Sequence, residues 1–163
     1  MNRIFKIIIC LSFFVAIAAA GKYAAAANEI SIPALSIKSG ATVEVPIRID
    51  QVDNLAGVKL VLKYDPDILT FKRAVRSEET ASLMHIVNDK KPGVLIVVMA
   101  GAAGIKGTDF SIMSLFFETK KDLESNHTAE ITITECQLMS DTLKKLDCTL
   151  KLNPLTIVPE ASR

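Results

Sequence analysis

Val43, Val45, Ile47 and Ile49 alternate with Glu44, Pro46, Arg48 and Asp50, and the period of two recurs along most of the chain. Successive side chains of a strand point to opposite faces, so this pattern marks strands with one face buried. It continues where Val58, Leu60, Leu62 and Tyr64 alternate with Lys59, Val61 and Lys63. Further strand candidates are Leu69 to Val75, Val94 to Ala100, Phe110 to Thr119, Ala129 to Met139, Leu146 to Leu152 and Leu155 to Val158. Their separators are turn material: Lys91-Pro92-Gly93, the glycines at 101, 104 and 107, the polar run Lys120 to His127, and Ser140-Asp141. Eight or nine short strands, with only Ser77 to Met84 reading as helical, predict an all-β antiparallel sandwich. Pro46 has no N–H for a ladder, so its strand is expected at an edge or with a local break. Val94 to Met99 is apolar on both faces, which requires that a loop, the short helix or a partner cover the outer one.

The first 27 residues are expected to lie outside this fold. Arg3 and Lys6 precede a fourteen-residue apolar run, Ile7 to Ala20, followed by the small residues Ala25 to Ala27, the layout of a secretory signal peptide. A spanning helix needs roughly twenty apolar residues, so a retained membrane anchor is the weaker reading, and no later segment could cross a membrane. Cys10 lies too early for a lipoprotein site. The expected organisation is therefore a signal peptide over 1–27 and one domain over 28–163, secreted or periplasmic. Removing Arg3, Lys6 and Lys22 reduces 19 basic residues to 16 against 18 acidic, a net charge of −2. Nothing in that balance suggests nucleic acid, whose binders carry a concentrated basic surface.

The stretch from Leu55 to Phe71 turns at Tyr64-Asp65-Pro66. Pro66 fixes its own φ, biases Asp65 toward an extended conformation, and the Asp65 carboxylate can accept backbone hydrogen bonds across the turn. The strand should end at Tyr64, whose ring packs beside the corner, and Ile68, Leu69 and Phe71 should resume the core.

With these residues in place, the chain resembles the cohesin domain, the receptor module for dockerin modules in secreted bacterial and archaeal assemblies. The ordered set is Gly40 and the Val43 to Asp50 strand; Leu55-Ala56-Gly57 leading to Tyr64-Asp65-Pro66 and Leu69; Gly93 opening Val94 to Ala100; Gly104 to Gly107 before Ile112, Leu115 and Phe117; then the strand from Ala129. The resemblance implies a nine-stranded jelly-roll sandwich without a catalytic site or cofactor, binding its partner on a flat sheet face. Alternation directs Lys59, Val61 and Lys63, with Val94, Ile96, Val98 and Ala100, away from the core. Together they would form an apolar strip rimmed by lysines, suited to a protein interface. The alternative is that the lysines are merely solvated and the strip is covered by the chain itself. A dockerin-type partner would carry the calcium, because this sequence lacks the Asp-x-Asp-x-Asp-Gly loop.

Cys136 and Cys148 are equidistant from Thr142, so a hairpin centred on Ser140 to Lys144 would set them opposite each other. A disulfide is expected, two buried thiols being the alternative. His85 and His127 are isolated and no nucleophile–base set is recognisable, so no enzyme and no protein-bound metal are expected. The glycines at 101, 104 and 107 around Lys106 lack a phosphate loop's order and read as a loop between strands. Asp50, Asp53 and Asn54, and Asp65 with Asp67, read as turn caps rather than calcium ligands, and Asn126-His127-Thr128 is a glycosylation sequon given little weight. Two further functions stay open: a carbohydrate-binding module taking polysaccharide, although the domain has no Trp, and a structural or adhesive envelope subunit.

Overall fold

The computed structural model describes residues 28–121 and 123–160; the signal-peptide expectation falls on 1–27, outside them. Among the described residues there are eleven strands and no helix: β1 Asn28–Ile32, β2 Leu35–Lys38, β3 Thr42–Tyr64, β4 Leu69–Arg76, β5 Met84–Asn88, β6 Val94–Thr119, β7 His127–Ala129, β8 Ile131–Met139, β9 Lys145–Leu146, β10 Cys148–Leu152 and β11 Leu155–Val158.

Two of these strands organise the rest. β3 and β6 run antiparallel to one another over almost their whole lengths, Thr42 opposite Glu118 at one end and Lys63 opposite Val94 at the other. Register shifts at Ile47/Arg48, Asp53/Leu55 and Leu55/Gly57 bend the pair, as bulges do. Their halves therefore belong to two layers. One layer runs β10-β1-β3-β6-β4, using the Thr42 half of β3; the other runs β8-β3-β6-β5, using the Tyr64 half. With the halves taken separately and two-residue β9 set aside, the sandwich has the nine strands expected of a jelly roll. A small sheet, β2-β11-β7, flanks it. Pairing is antiparallel except for β1 with β10 and β2 with β11, which are parallel.

The core follows the alternation. Val43, Val45, Ile47 and Ile49 from one half of β3, and Val58, Leu60 and Leu62 from the other, are buried in a single cluster with Leu95, Val97, Met99, Leu115 and Phe117 of β6. Phe117 is wholly buried and takes two edge-on rings, Tyr64 at 5.1 Å and Phe71 at 5.7 Å between centroids, the geometry that aromatic quadrupoles favour. Pro46 is accommodated because β1 pairs β3 only at Arg48 and Ile49, so β3 has lost its neighbour on that side before Pro46 is reached.

The corner behaves as its chemistry requires. The Asp65 carboxylate accepts the Asp67 N–H at 2.8 Å, and its carbonyl accepts the N–H groups of Ile68 and Leu69. Gly93 faces it at φ +78°, where a Cβ would stand 3.0 Å from the Tyr64 carbonyl oxygen and 3.2 Å from Pro66 Cδ. Only glycine fits both the backbone and the space.

Two expectations are corrected. Ser77 to Met84 is not helical: Thr80 is wholly buried and donates its hydroxyl to the Ile112 carbonyl at 2.8 Å, while Leu83 plugs the core beside Gly101. Tertiary anchoring outweighs the weak helical propensity of so short a segment. Nor is the glycine stretch from 101 to 107 a loop. It is the bend of β6, and a Cβ on Gly104 would lie 1.6 Å from Asn54 Oδ1, so glycine lets the bends of β3 and β6 cross in contact.

Cys136 and Cys148 are bridged, with Cα atoms 6.5 Å apart, within the span a disulfide requires. Leu138 opposite Leu146 and Met139 opposite Lys145 form the predicted hairpin. Past it, β10 departs to pair with β1, so the bridge ties β8 in one layer to β10 in the other. Replacing both cysteines by alanine should lower stability by about 3 kcal/mol through the freed unfolded chain, read as a lower urea midpoint.

Candidate functional site

The outer surface of the β8-β3-β6-β5 layer is built by register. Ala100 stands between Gly57 and Met84, Val98 between Lys59 and Ile86, Ile96 between Val61 and Asn88, and Val94 beside Lys63. Across β3, Gln137 lies opposite Lys59, Glu135 opposite Val61 and Thr132 opposite Lys63. All seven residues expected on an outward face, Lys59, Val61, Lys63, Val94, Ile96, Val98 and Ala100, thus share one surface. Their inward neighbours Leu60, Leu62, Leu95, Val97 and Met99 are buried.

The face is divided rather than uniform. Toward β5 it is apolar and open: Met84 is 76%, Ile86 69% and Val98 39% exposed, with Ala100 beside them in a shallow depression. Toward β8 it is polar. Lys59 Nζ meets Glu135 Oε1 at 2.7 Å, and Gln137 Nε2 donates to the same oxygen at 2.6 Å. The expected rim of free lysines is therefore half neutralised: Lys59 is paired, whereas Lys63 is exposed and makes no ion pair among the described residues. β5 lies beside β6 in the sheet and does not roof it, so the outer side of Val94 to Ala100 is uncovered by the described chain.

Sequence reasoning missed β5 and the contribution of β8. Met84-His85-Ile86-Val87-Asn88 carries a strand signal in its adjacent β-branched residues, but the helical reading of the segment before it absorbed Met84. Glu135 and Gln137 lay in a predicted strand, and their proximity to Lys59 depends on a long-range register that the sequence does not print.

Elsewhere the polar groups serve the fold. The Asp50 carboxylate accepts the N–H groups of Glu29 and Gln51, and Asn54 Nδ2 donates to Asp141 Oδ1 at 2.7 Å. Among the described residues no three His, Cys, Asp or Glu side chains converge as a metal site would need. Donating a hydrogen bond to the Asp53 carboxylate raises the Lys106 pKa, and accepting one from Lys72 lowers that of Glu118; both pairs lie at the surface and off this face. Among the described residues no Phe or Tyr side chain is fully exposed: Phe110 and Phe117 are buried, Tyr64 and Phe71 are half-buried against Phe117 or the core, and Phe116 is half-buried beneath the Arg73 guanidinium, 3.8 Å from its centroid.

Residues 28–154 match the family described as "Cohesin domain". No curated protein matches the sequence significantly. Among solved structures, the fold is similar to the cohesin CaCohA2 from Clostridium acetobutylicum, with TM-score 0.70 and 19% identity over 84% of this chain and 93% of that one. It is similar also to a non-cellulosomal cohesin from the archaeon Archaeoglobus fulgidus, at TM-score 0.69 and 16% identity over 83% and 93% of the two chains. A third likeness is the sixth cohesin of scaffoldin B from Acetivibrio cellulolyticus, solved in complex with a dockerin, at TM-score 0.69 and 18% identity over 82% and 99%. With the two-layer strand order, the Tyr64-Asp65-Pro66 corner and a family match over nearly the whole described chain, this protein belongs to the cohesin domain family.

Proposed function

We propose that this cohesin domain is an exported, non-catalytic receptor that docks a dockerin-type protein module on the outer face of the β8-β3-β6-β5 layer. The observation that carries the reading is the uncovered apolar band of Met84, Ile86, Val98 and Ala100, bordered by the Lys59–Glu135 pair and Lys63. Such a surface combines a centre that can be dried on contact with a polar margin that sets orientation. Family membership supports it, as does the dockerin bound by the Acetivibrio relative. The residues proposed to meet the partner are Lys59, Val61, Lys63, Val94, Ile96, Val98 and Ala100, joined by Met84, Ile86, Glu135 and Gln137.

Export rests on the 1–27 segment, and amino-terminal sequencing of the secreted protein should read from near Asn28. For docking, the immobilised domain is exposed to the host's secreted fraction with calcium and again with a chelator, which would unfold a partner that needs calcium in its own loops. A dockerin-bearing protein should be retained only with calcium. Retention that ignores the chelator, or none at all, overturns the proposal. The carbohydrate alternative has less support, because every Phe and Tyr ring of the described domain is buried or packed against a neighbouring side chain, leaving no open platform on which a sugar could stack; a glycan array binding selectively would reinstate it.

A further inference from the structure

An outer strand of a sheet presents unpaired N–H and C=O groups, and proteins usually guard such an edge with charge, proline, a bulge or a covering segment. Three edges of the sandwich are guarded. β4 carries Lys72, Arg73 and Arg76, β10 carries Lys151, and β8 carries Glu135 and is partly covered by β9. β5 is different. Met84 to Asn88 contains no charged residue and no proline, pairs with β6 without a register shift, and exposes Met84, His85, Ile86 and Asn88.

The segments on either side of β5 differ in charge. The chain enters it through Arg76, Glu78 and Glu79, with the Arg76 guanidinium engaged by the Leu83 carbonyl. It leaves through Asp89, Lys90 and Lys91. The entry is net negative and the exit net positive. Side-by-side parallel pairing of two such edges would set like against like. Antiparallel pairing sets the acidic entry of each copy toward the basic exit of the other, and like charges directly opposed across strands are destabilising.

We infer that β5 pairs antiparallel with β5 of a second copy about a two-fold axis through Ile86. Ile86 then meets Ile86 of the other copy, Met84 meets Asn88, and His85 meets Val87. The contact is isologous and closes as a dimer rather than growing into a filament. The two β8-β3-β6-β5 layers become one continuous sheet of eight strands, with both outer faces on the same side. This goes beyond the proposed receptor role and does not depend on what that face binds.

A five-residue edge is small, so association should be concentration-dependent, and sedimentation velocity of residues 28–163 from micromolar to millimolar tests it. The wild-type chain should pass from monomer to dimer and stop there. Ile86→Lys places two ammonium groups on the axis and should remain monomeric at every concentration; because Ile86 is 69% exposed, its melting curve should match wild type and confirm folding. Lys90→Glu with Lys91→Glu should weaken the dimer at least tenfold, and adding Glu78→Lys with Glu79→Lys should restore it. A wild-type chain monomeric throughout, an Ile86→Lys dimer of undiminished affinity, or charge reversals without effect would each overturn the inference. The calcium-dependent capture assay, run with Ile86 intact, reports on the receptor reading separately.

Discussion

Phe117→Ala is expected to lower the free energy of unfolding by about 3–5 kcal/mol. That is a large fraction of the roughly 5–15 kcal/mol that stabilises a typical domain. Phe117 is 0% exposed and lies where both layers and the corner meet: β3 and β4 flank it at Val43 and Phe71, and the Tyr64 ring closes edge-on above it. Removing the ring leaves a cavity whose walls belong to several strands, each fixed by its own ladder, so collapse into the space is restricted. The adjacent Phe116 is an internal control. It points to the other side of β6, half-buried beneath Arg73, and its replacement by alanine should cost less, about 1 kcal/mol for the cation–π contact and partial burial. Urea titration of the two variants should show a large midpoint shift for Phe117→Ala and a small one for Phe116→Ala, with unchanged slopes. Equal shifts would mean that the two faces of β6 are not divided as described.

Val98→Lys should reduce capture of the docking partner at least a hundredfold, equivalent to about 2.7 kcal/mol, while leaving the melting temperature near that of the wild type. Val98 lies in the middle of the apolar band, between Lys59 and Ile86, and is 39% exposed. The substituted ammonium is solvated in the free domain. It would have to be desolvated without a counter-charge once a partner covers the face, because Glu135 is already engaged by Lys59. Glu135→Ala is the companion measurement. It frees Lys59 and should alter association rate and salt dependence more than the dissociation rate. A Val98→Lys domain that captured its partner normally would move the docking site off this face.

The layers were legible because alternation is a local property. Val43 to Ile49 and Val58 to Tyr64 announce their buried and outward sides without knowledge of their neighbours, and the seven predicted outward residues fall together for that reason. The Cys136–Cys148 bridge was legible as well, since a hairpin makes its register a matter of counting. What remained hidden depended on contacts distant in sequence. Gly104 looks like loop material until Asn54 is brought against it, and Ser77 to Met84 looks helical until Thr80 is drawn to the Ile112 carbonyl and Leu83 into the core. The Lys59–Glu135 pair spans 76 residues, and only the β3–β8 register creates it.

The parallel pairing of β1 with β10 also determines how the domain meets a pulling force. Asn28 lies beside Cys148 and Ile32 beside Leu152, while β2 and β11 repeat the arrangement with Lys38 beside Val158. Tension drawing residue 28 and residue 158 apart therefore loads β1 along β10 and β11 along β2 in shear, straining the rungs of each pair at once instead of peeling them in turn. Rupture under load is governed by the rate of unfolding rather than by equilibrium stability. Held between those two points, the domain should resist until the rungs give way together rather than lengthen by degrees.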